Sequence, residues 1–284
     1  MKRYGHIVYL VLAGILVSGC DNKQKEDEKI HLVQEINASM VTIDGGRFQM
    51  GDFGPQLGEK LSYSPDQDNK PLHWVELSSF KMTKNRITWK QFNQWLNIQG
   101  KNTTKYYNNT KGNKYAGYFI DYLDDEYPAS VSWHDANDFC HWIGKEVGIN
   151  SSLPTEAQWE YSARSGGEYV IFANKNNIYN DSLTDEELDF THKIKPVGQY
   201  PSNPLGLNDM MGNGHDWISD WYSSDYYEVS SINNPQGPDS GNEKVIRGYT
   251  GSMFGLMTIT RSQQKPNYEG PGYGFRCVEN SPFK

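Results

Sequence analysis

Basic side chains are in short supply. Lys and Arg number 27 against 35 Asp and Glu, a net charge of −8, which argues against a nucleic-acid partner and against a polybasic membrane patch. Cysteine is scarce as well, with three among 284 residues, at positions 20, 140 and 277. The chain has no GxSxG elbow to expose a nucleophilic serine. None of its 7 histidines forms an HxH or HxxxH pair. No internal repeat divides the chain, which sets aside repeat arrays. What is plentiful is aromatic and glycine: 8 Trp, 19 Tyr and 27 Gly suggest a loop-rich fold pinned by aromatic packing rather than a helical bundle.

The first residues look like an export signal. Lys2 and Arg3 precede an apolar run, Ile7 to Val17, too short to span a bilayer as a mature helix. Val17, Ser18, Gly19 and Cys20 follow the lipobox pattern, so residues 1–19 read as a lipoprotein signal peptide. The Cys20 thiol would then carry diacylglycerol and hold the chain on a membrane surface. Asp21 follows directly, and in an enterobacterium it would favour the periplasmic face of the inner membrane. Without residues 1–19 the chain has 25 basic and 35 acidic side chains, a net of −10. Asp21 to Asn37 is polar and charged, so residues 20–39 read as a lipidated cysteine and flexible tether ahead of one domain over 40–284. In an oxidising periplasm Cys140 and Cys277 are expected to pair, two isolated buried thiols being the alternative. A bridge closing so long a loop contributes about 4–5 kcal/mol in the chain-entropy model.

Local pattern predicts an α+β fold. VTIDGGRFQMG reads as strand, Gly-Gly turn and strand, and HWVELSSFKM has the alternation of a half-buried strand. Thr88, Ser132 and Thr155 are predicted helix caps, with Gln91, Asp135 and Gln158 three residues on. Gly148 is a predicted stop for the second helix and Gly166-Gly167 for the third. Lys101 to Tyr118, rich in Asn, Lys and Tyr, reads as a long loop.

In order along the chain, VTIDGGRFQMG, YPASVSWHDANDFCHWIGKEVG, LPTEAQWEYSARSGG, PVGQYPSNPLGLNDMMGNGHDWISDWY, VIRG and GYGFRC resemble the formylglycine-generating enzyme, or sulfatase-modifying factor, family. The resemblance runs from about Met40 to Val278. It implies an irregular C-type-lectin-like fold with little regular secondary structure, and a structural disulfide between Cys140 and Cys277. It also implies calcium. Asp209, Gly212, Gly214 and Asp216 match positions that hold the ion in the family, and such oxygen donors suit a hard cation; the alternative is a hydrogen-bonded turn without metal. A second calcium site would involve Asn177, the Ile178 carbonyl and Asp189.

The catalytic members of the family oxidise a substrate cysteine at a copper held by two cysteines five residues apart. The matching positions here are Met253 and Thr258, so the soft pair that selects copper(I) is missing and no copper is expected. Relatives that hold non-haem iron through histidines need three converging ligands. His31, His73, His134, His141, His192 and His215 are the candidates, and the sequence gives no sign that they meet. No catalytic residue is assigned.

The resulting expectation is a non-catalytic, lipid-anchored binding module of the periplasmic envelope. Lipoproteins of this kind resemble accessory or immunity proteins of bacterial secretion systems (type VI among them), which bind a toxin or regulator. Loops 52–70, 101–118 and 253–273 would carry the contact surface, with Tyr106, Tyr107, Tyr115, Tyr118, Met253, Phe254 and Arg261 as contact residues. A metal-dependent oxidoreductase and an envelope-assembly lipoprotein are the rival readings.

Overall fold

Hydroxyl caps start the helices. In the computed structural model, which describes residues 23–173, 194–200, 202–248 and 254–280, Thr88 accepts from the Gln91 N–H while the Gln91 side chain accepts from the Thr88 N–H. That reciprocal pair starts helix α2, Trp89–Gln99, and Gly100, in the left-handed region, ends it. Ser132 caps α4, Trp133–Val147, which stops at Gly148. Thr155 and Gln158 repeat the reciprocal cap on α5, Glu156–Ala163. This last helix ends at Arg164, ahead of the two glycines, because Ser165 already turns to φ 52°.

Two further helices correct the sequence reading. Residues 23–38, expected to be a flexible tether, form helix α1. Leu32 and Ile36, one turn apart, are both 0% exposed in the core that α2 and α4 build. Polar contacts fix the same docking: Gln91 Nε2 donates to Glu35 Oε1 at 2.7 Å, Gln94 Nε2 to the Glu28 carbonyl at 3.1 Å, and Lys29 pairs with Glu146 at 3.2 Å. The domain therefore starts well before residue 40. Within the expected loop 101–118, Thr104 caps a short helix α3, Lys105–Lys111, and a 3-10 segment follows over Gly117–Leu123.

The strands β1 (Met40–Ile43) and β2 (Gly46–Met50) do not pair with each other. β1 pairs antiparallel with β4 (Phe80–Thr83), and β2 with β3 (His73–Leu77). The segment read as one strand, HWVELSSFKM, thus breaks at Ser78-Ser79 and serves two sheets. Gly45 is needed at the crossing, since a Cβ there would sit 2.3 Å from the Leu77 carbonyl oxygen. The first sheet is completed by β5 (Asn150–Ser152) and β10 (Val278–Asn280), in the order β1-β4-β10-β5. A third sheet runs β8-β7-β6-β9, from Ser262–Gln264, Lys244–Arg247, His215–Trp221 and Tyr273–Gly274.

Two cores flank α5 and the third sheet. One gathers Phe48, Phe53, Phe80, Trp159 and Ile218; the other stacks Trp89, Phe92, Trp95, Phe139 and Phe275 around α2 and α4. Cys140 and Cys277 lie in the second, bonded to each other with an S–S distance of 1.98 Å across a separation of 137 residues. Among the described residues, no helix is long and apolar enough to cross a membrane.

Candidate functional site

The turn that leads into β6 is tightly wound. Asp209, Gly212, Asn213 and Gly214 all have φ between 55° and 97°, and a Cβ on Gly214 would lie 2.6 Å from the Gly272 carbonyl oxygen. This winding turns four carbonyls toward one point, where the buried Arg86 guanidinium sits. Arg86 Nη1 donates to the carbonyls of Asp209, Gly212 and Asn213 at 3.2, 3.1 and 3.1 Å. Nη2 donates to the Gly214 carbonyl at 2.9 Å and to Asp216 Oδ2 at 3.1 Å, while Nε lies 2.9 Å from Asp216 Oδ1. Asp216 also accepts from Trp159 Nε1 at 2.9 Å and from Arg276 Nε at 3.2 Å. Burial alone would raise the Asp216 carboxyl, but Arg86 and Arg276 hold it below its ordinary value.

Asp209 faces the other way. Its carboxylate accepts from the backbone N–H groups of Gly198 and Tyr200 at 2.7 and 3.3 Å and from Asn213 Nδ2 at 3.2 Å. The four positions expected to ligate calcium are thus brought together, but their oxygens serve Arg86 and the backbone. The donor set does not fit the ion. Asn177, Ile178 and Asp189 lie outside the described residues.

A second charge cluster lies beside the first. α5 is buried on every side although it carries Glu156 and Glu160, so its charges must be neutralised internally. Arg247 Nη1 bonds Glu156 Oε1 at 2.7 Å and its Nη2 bonds Glu160 Oε2 at 2.8 Å. Arg261 makes a bidentate pair with Glu156 at 2.8 and 3.0 Å, and Arg164 bonds Glu160 at 3.0 Å. The Arg247 guanidinium packs 4.9 Å from the Trp159 ring, which joins this cluster to the Asp216 cluster. Asp220 Oδ2 accepts from the Glu156 N–H at 3.1 Å, and burial followed by the Glu156 charge pushes the Asp220 carboxyl up to about 7.

These contacts place the remaining candidates. Thr258 is 1% exposed; its N–H donates to the Ile171 carbonyl at 2.9 Å, its hydroxyl to the Val170 carbonyl at 2.7 Å, and its carbonyl accepts from Arg247. Arg261, expected on the contact surface, is instead a buried member of the ion cluster whose Nη1 reaches the Asp68 and Ser223 carbonyls. Met253 and the Phe254 side chain lie outside the described residues. The histidines stay apart: His31, His134 and His141 are exposed on α1 and α4, His73 stacks 4.6 Å from Tyr227, and His215 lies 4.9 Å from Tyr273. Burial, reinforced by Arg86, lowers His215 to about 3. His192 lies outside the described residues. Among the described residues, no three His, Cys, Asp or Glu side chains converge as a metal site.

The tyrosine segment divides into two roles. Tyr107 packs on Trp89 at 4.9 Å and Tyr106 stacks there at 6.5 Å, its N–H held by Glu269 Oε2 at 2.8 Å. Burial raises the Tyr106 hydroxyl to about 12. These two pin α3 down. Tyr115 is 81% exposed, and Phe119 lines a cavity of about 240 Å³ together with Tyr106, Asn109, Thr110, Asn113, Ala116 and Pro271. The Tyr118 side chain lies outside the described residues.

Residues 27–281 match the domain family described as sulfatase-modifying factor enzyme 1-like. The chain belongs to the sulfatase-modifying factor family. It is 32% identical over 279 residues to a serine/threonine-protein kinase pkn1 of Chlamydia pneumoniae, covering 93% of this chain and 41% of that protein. It is 34% identical over 165 residues to the formylglycine-generating enzyme of Bos taurus, covering 52% of this chain and 42% of the relative. The chain therefore spans about two fifths of these curated relatives. Among solved structures, PvdO from Pseudomonas aeruginosa superposes with a TM-score of 0.66 at 21% identity, covering 84% of this chain and 93% of that one, which shows a shared fold. The α+β, formylglycine-generating-enzyme type architecture follows from these matches. The family match also begins inside α1, in agreement with its buried face.

Proposed function

We propose that this sulfatase-modifying factor domain is a non-catalytic binding module, held by a lipidated Cys20 on the periplasmic side of the envelope and recognising a protein such as a toxin or regulator. The observation that carries the reading is Thr258. It stands where the resemblance calls for the second copper-binding thiol, and its hydroxyl is already bonded to the Val170 carbonyl in a closed interior. Nor does a thiol pair exist elsewhere, because Cys140 and Cys277 are bonded to each other.

The surface best suited to a partner is the face of α3 and the 3-10 segment after it. Lys105, Lys111 and Lys114 are exposed there, and after position 101 no acidic residue precedes Asp121 of the 3-10 segment in an otherwise acidic chain. Tyr115, Phe119 and Ile120 of the same stretch are exposed apolar side chains, and Phe119 lines the cavity with Tyr106, Ala116 and Pro271. An acidic polypeptide segment with one apolar side chain matches that combination of charge and shape. The test is capture from native membranes by the full chain and by a Lys111→Glu, Lys114→Glu, Tyr115→Ala variant. A specific acidic partner lost from the variant, at unchanged thermal stability, supports the reading. Oxidation of a cysteine peptide by the copper-loaded chain, or identical capture by both proteins, would overturn it.

A further inference from the structure

We infer that the guanidinium of Arg86 is the resident cation of the 209–216 turn, so that this turn is built and held without calcium. Calcium takes six to eight oxygens at about 2.3–2.6 Å, usually with ionised carboxylates among them. Here four carbonyls meet one planar group that is always charged and presents five N–H donors. The heavy-atom distances, 2.9 to 3.2 Å, are those of N–H···O hydrogen bonds and are too long for calcium–oxygen contacts.

The two carboxylates repeat the argument. Asp216 is shared between Arg86 and Arg276, with Trp159 on a third side. Asp209 points into backbone N–H groups and away from the carbonyls that converge. A divalent ion placed among those carbonyls would sit against the buried Arg86 charge. Both the Arg86 and Asp216 side chains are completely buried, so the arginine and a divalent ion compete for one point. The four carbonyls of the turn each accept from Arg86, and the Asp216 charge is balanced by Arg86 and Arg276.

Two measurements on the purified full chain test this. The first compares thermal unfolding in excess chelator and in millimolar calcium, with the metal content determined by mass spectrometry. With Asn177→Ala and Asp189→Ala introduced to remove the second expected calcium site, the expected result is one melting temperature in both media and far less than one calcium per chain; a calcium still retained stoichiometrically, with a melting temperature several degrees lower in chelator, would overturn the inference. The second uses Arg86→Ala, which empties the point where the carbonyls meet. This variant should melt well below the wild type in chelator and recover part of the loss with calcium, not with magnesium, which demands near-ideal octahedral geometry at shorter distances. A variant as stable as the wild type, or one destabilised yet blind to calcium, would mean that the turn is no cation cradle. Should Arg86→Ala fail to fold, that is the loss expected, and the first comparison still decides. Neither measurement depends on the binding role proposed for the lysine-rich face.

Discussion

Replacing Leu32 by alanine distinguishes an integral α1 from a tether. Leu32 is 0% exposed in the α2–α4 core, and Ile30, two residues earlier on the same helix, is 46% exposed. Removing a fully buried leucine costs about 2–5 kcal/mol, because the lost transfer energy adds to that of the cavity left behind. Against a total stability of about 5–15 kcal/mol this is a large share. With an m-value of about 3 kcal/mol per molar urea, a loss of 3 kcal/mol lowers the unfolding midpoint by about 1 M. Ile30→Ala, on the solvent side, should stay within about 0.5 kcal/mol of the wild type. Urea titration followed by tryptophan fluorescence reads both variants. Equal midpoints for Leu32→Ala, Ile30→Ala and wild type would refute the docking of α1 and restore the tether.

Arg247→Met should cost about 1–3 kcal/mol, because Glu156 and Glu160, both buried, lose their shared partner and keep Arg261 and Arg164 respectively; the same titration checks it, and a loss below about 0.5 kcal/mol would show that the cluster readjusts. Asp220 gives a pH signature. Its carboxyl rises from 3.8 to about 7 in the folded chain, so between these values the folded state holds a proton that the unfolded state has released. Stability contributed by this group is therefore full below pH 3.8 and declines as pH climbs to about 7. Asp220→Asn, which can still accept from the Glu156 N–H, should flatten that decline; melting curves parallel to the wild type from pH 4 to pH 8 would contradict it.

What the sequence made legible was local or matched a motif. Thr88, Ser132 and Thr155 could be read as caps because each needs only a partner three residues on. The tether reading failed for a compositional reason: Leu32 and Ile36 are two apolar anchors in a strongly charged stretch, and only their contact with α2 and α4 makes a helix of it. α3 was missed in the same way, since its apolar face consists of Tyr106 and Tyr107 and its partner, Trp89, lies in another element. Glu156, Glu160 and Arg164 drew no notice in the sequence, because their pairing depends on α5 being enclosed by elements far along the chain. For the turn, the sequence revealed the oxygens and not what they bind. Arg86 comes from 123 to 130 residues away, and nothing in its own neighbourhood announces the contact.

Sheet order has a bearing on biosynthesis. β10, residues 278–280, lies between β4 and β5, and Cys277 just before it is bonded to α4. A nascent chain that has reached residue 270 holds both flanking strands but lacks the piece that joins them, and its Cys140 still has no partner. Such a chain has neither a finished first sheet nor its cross-link, so the fold closes only once residues 277–280 are in place.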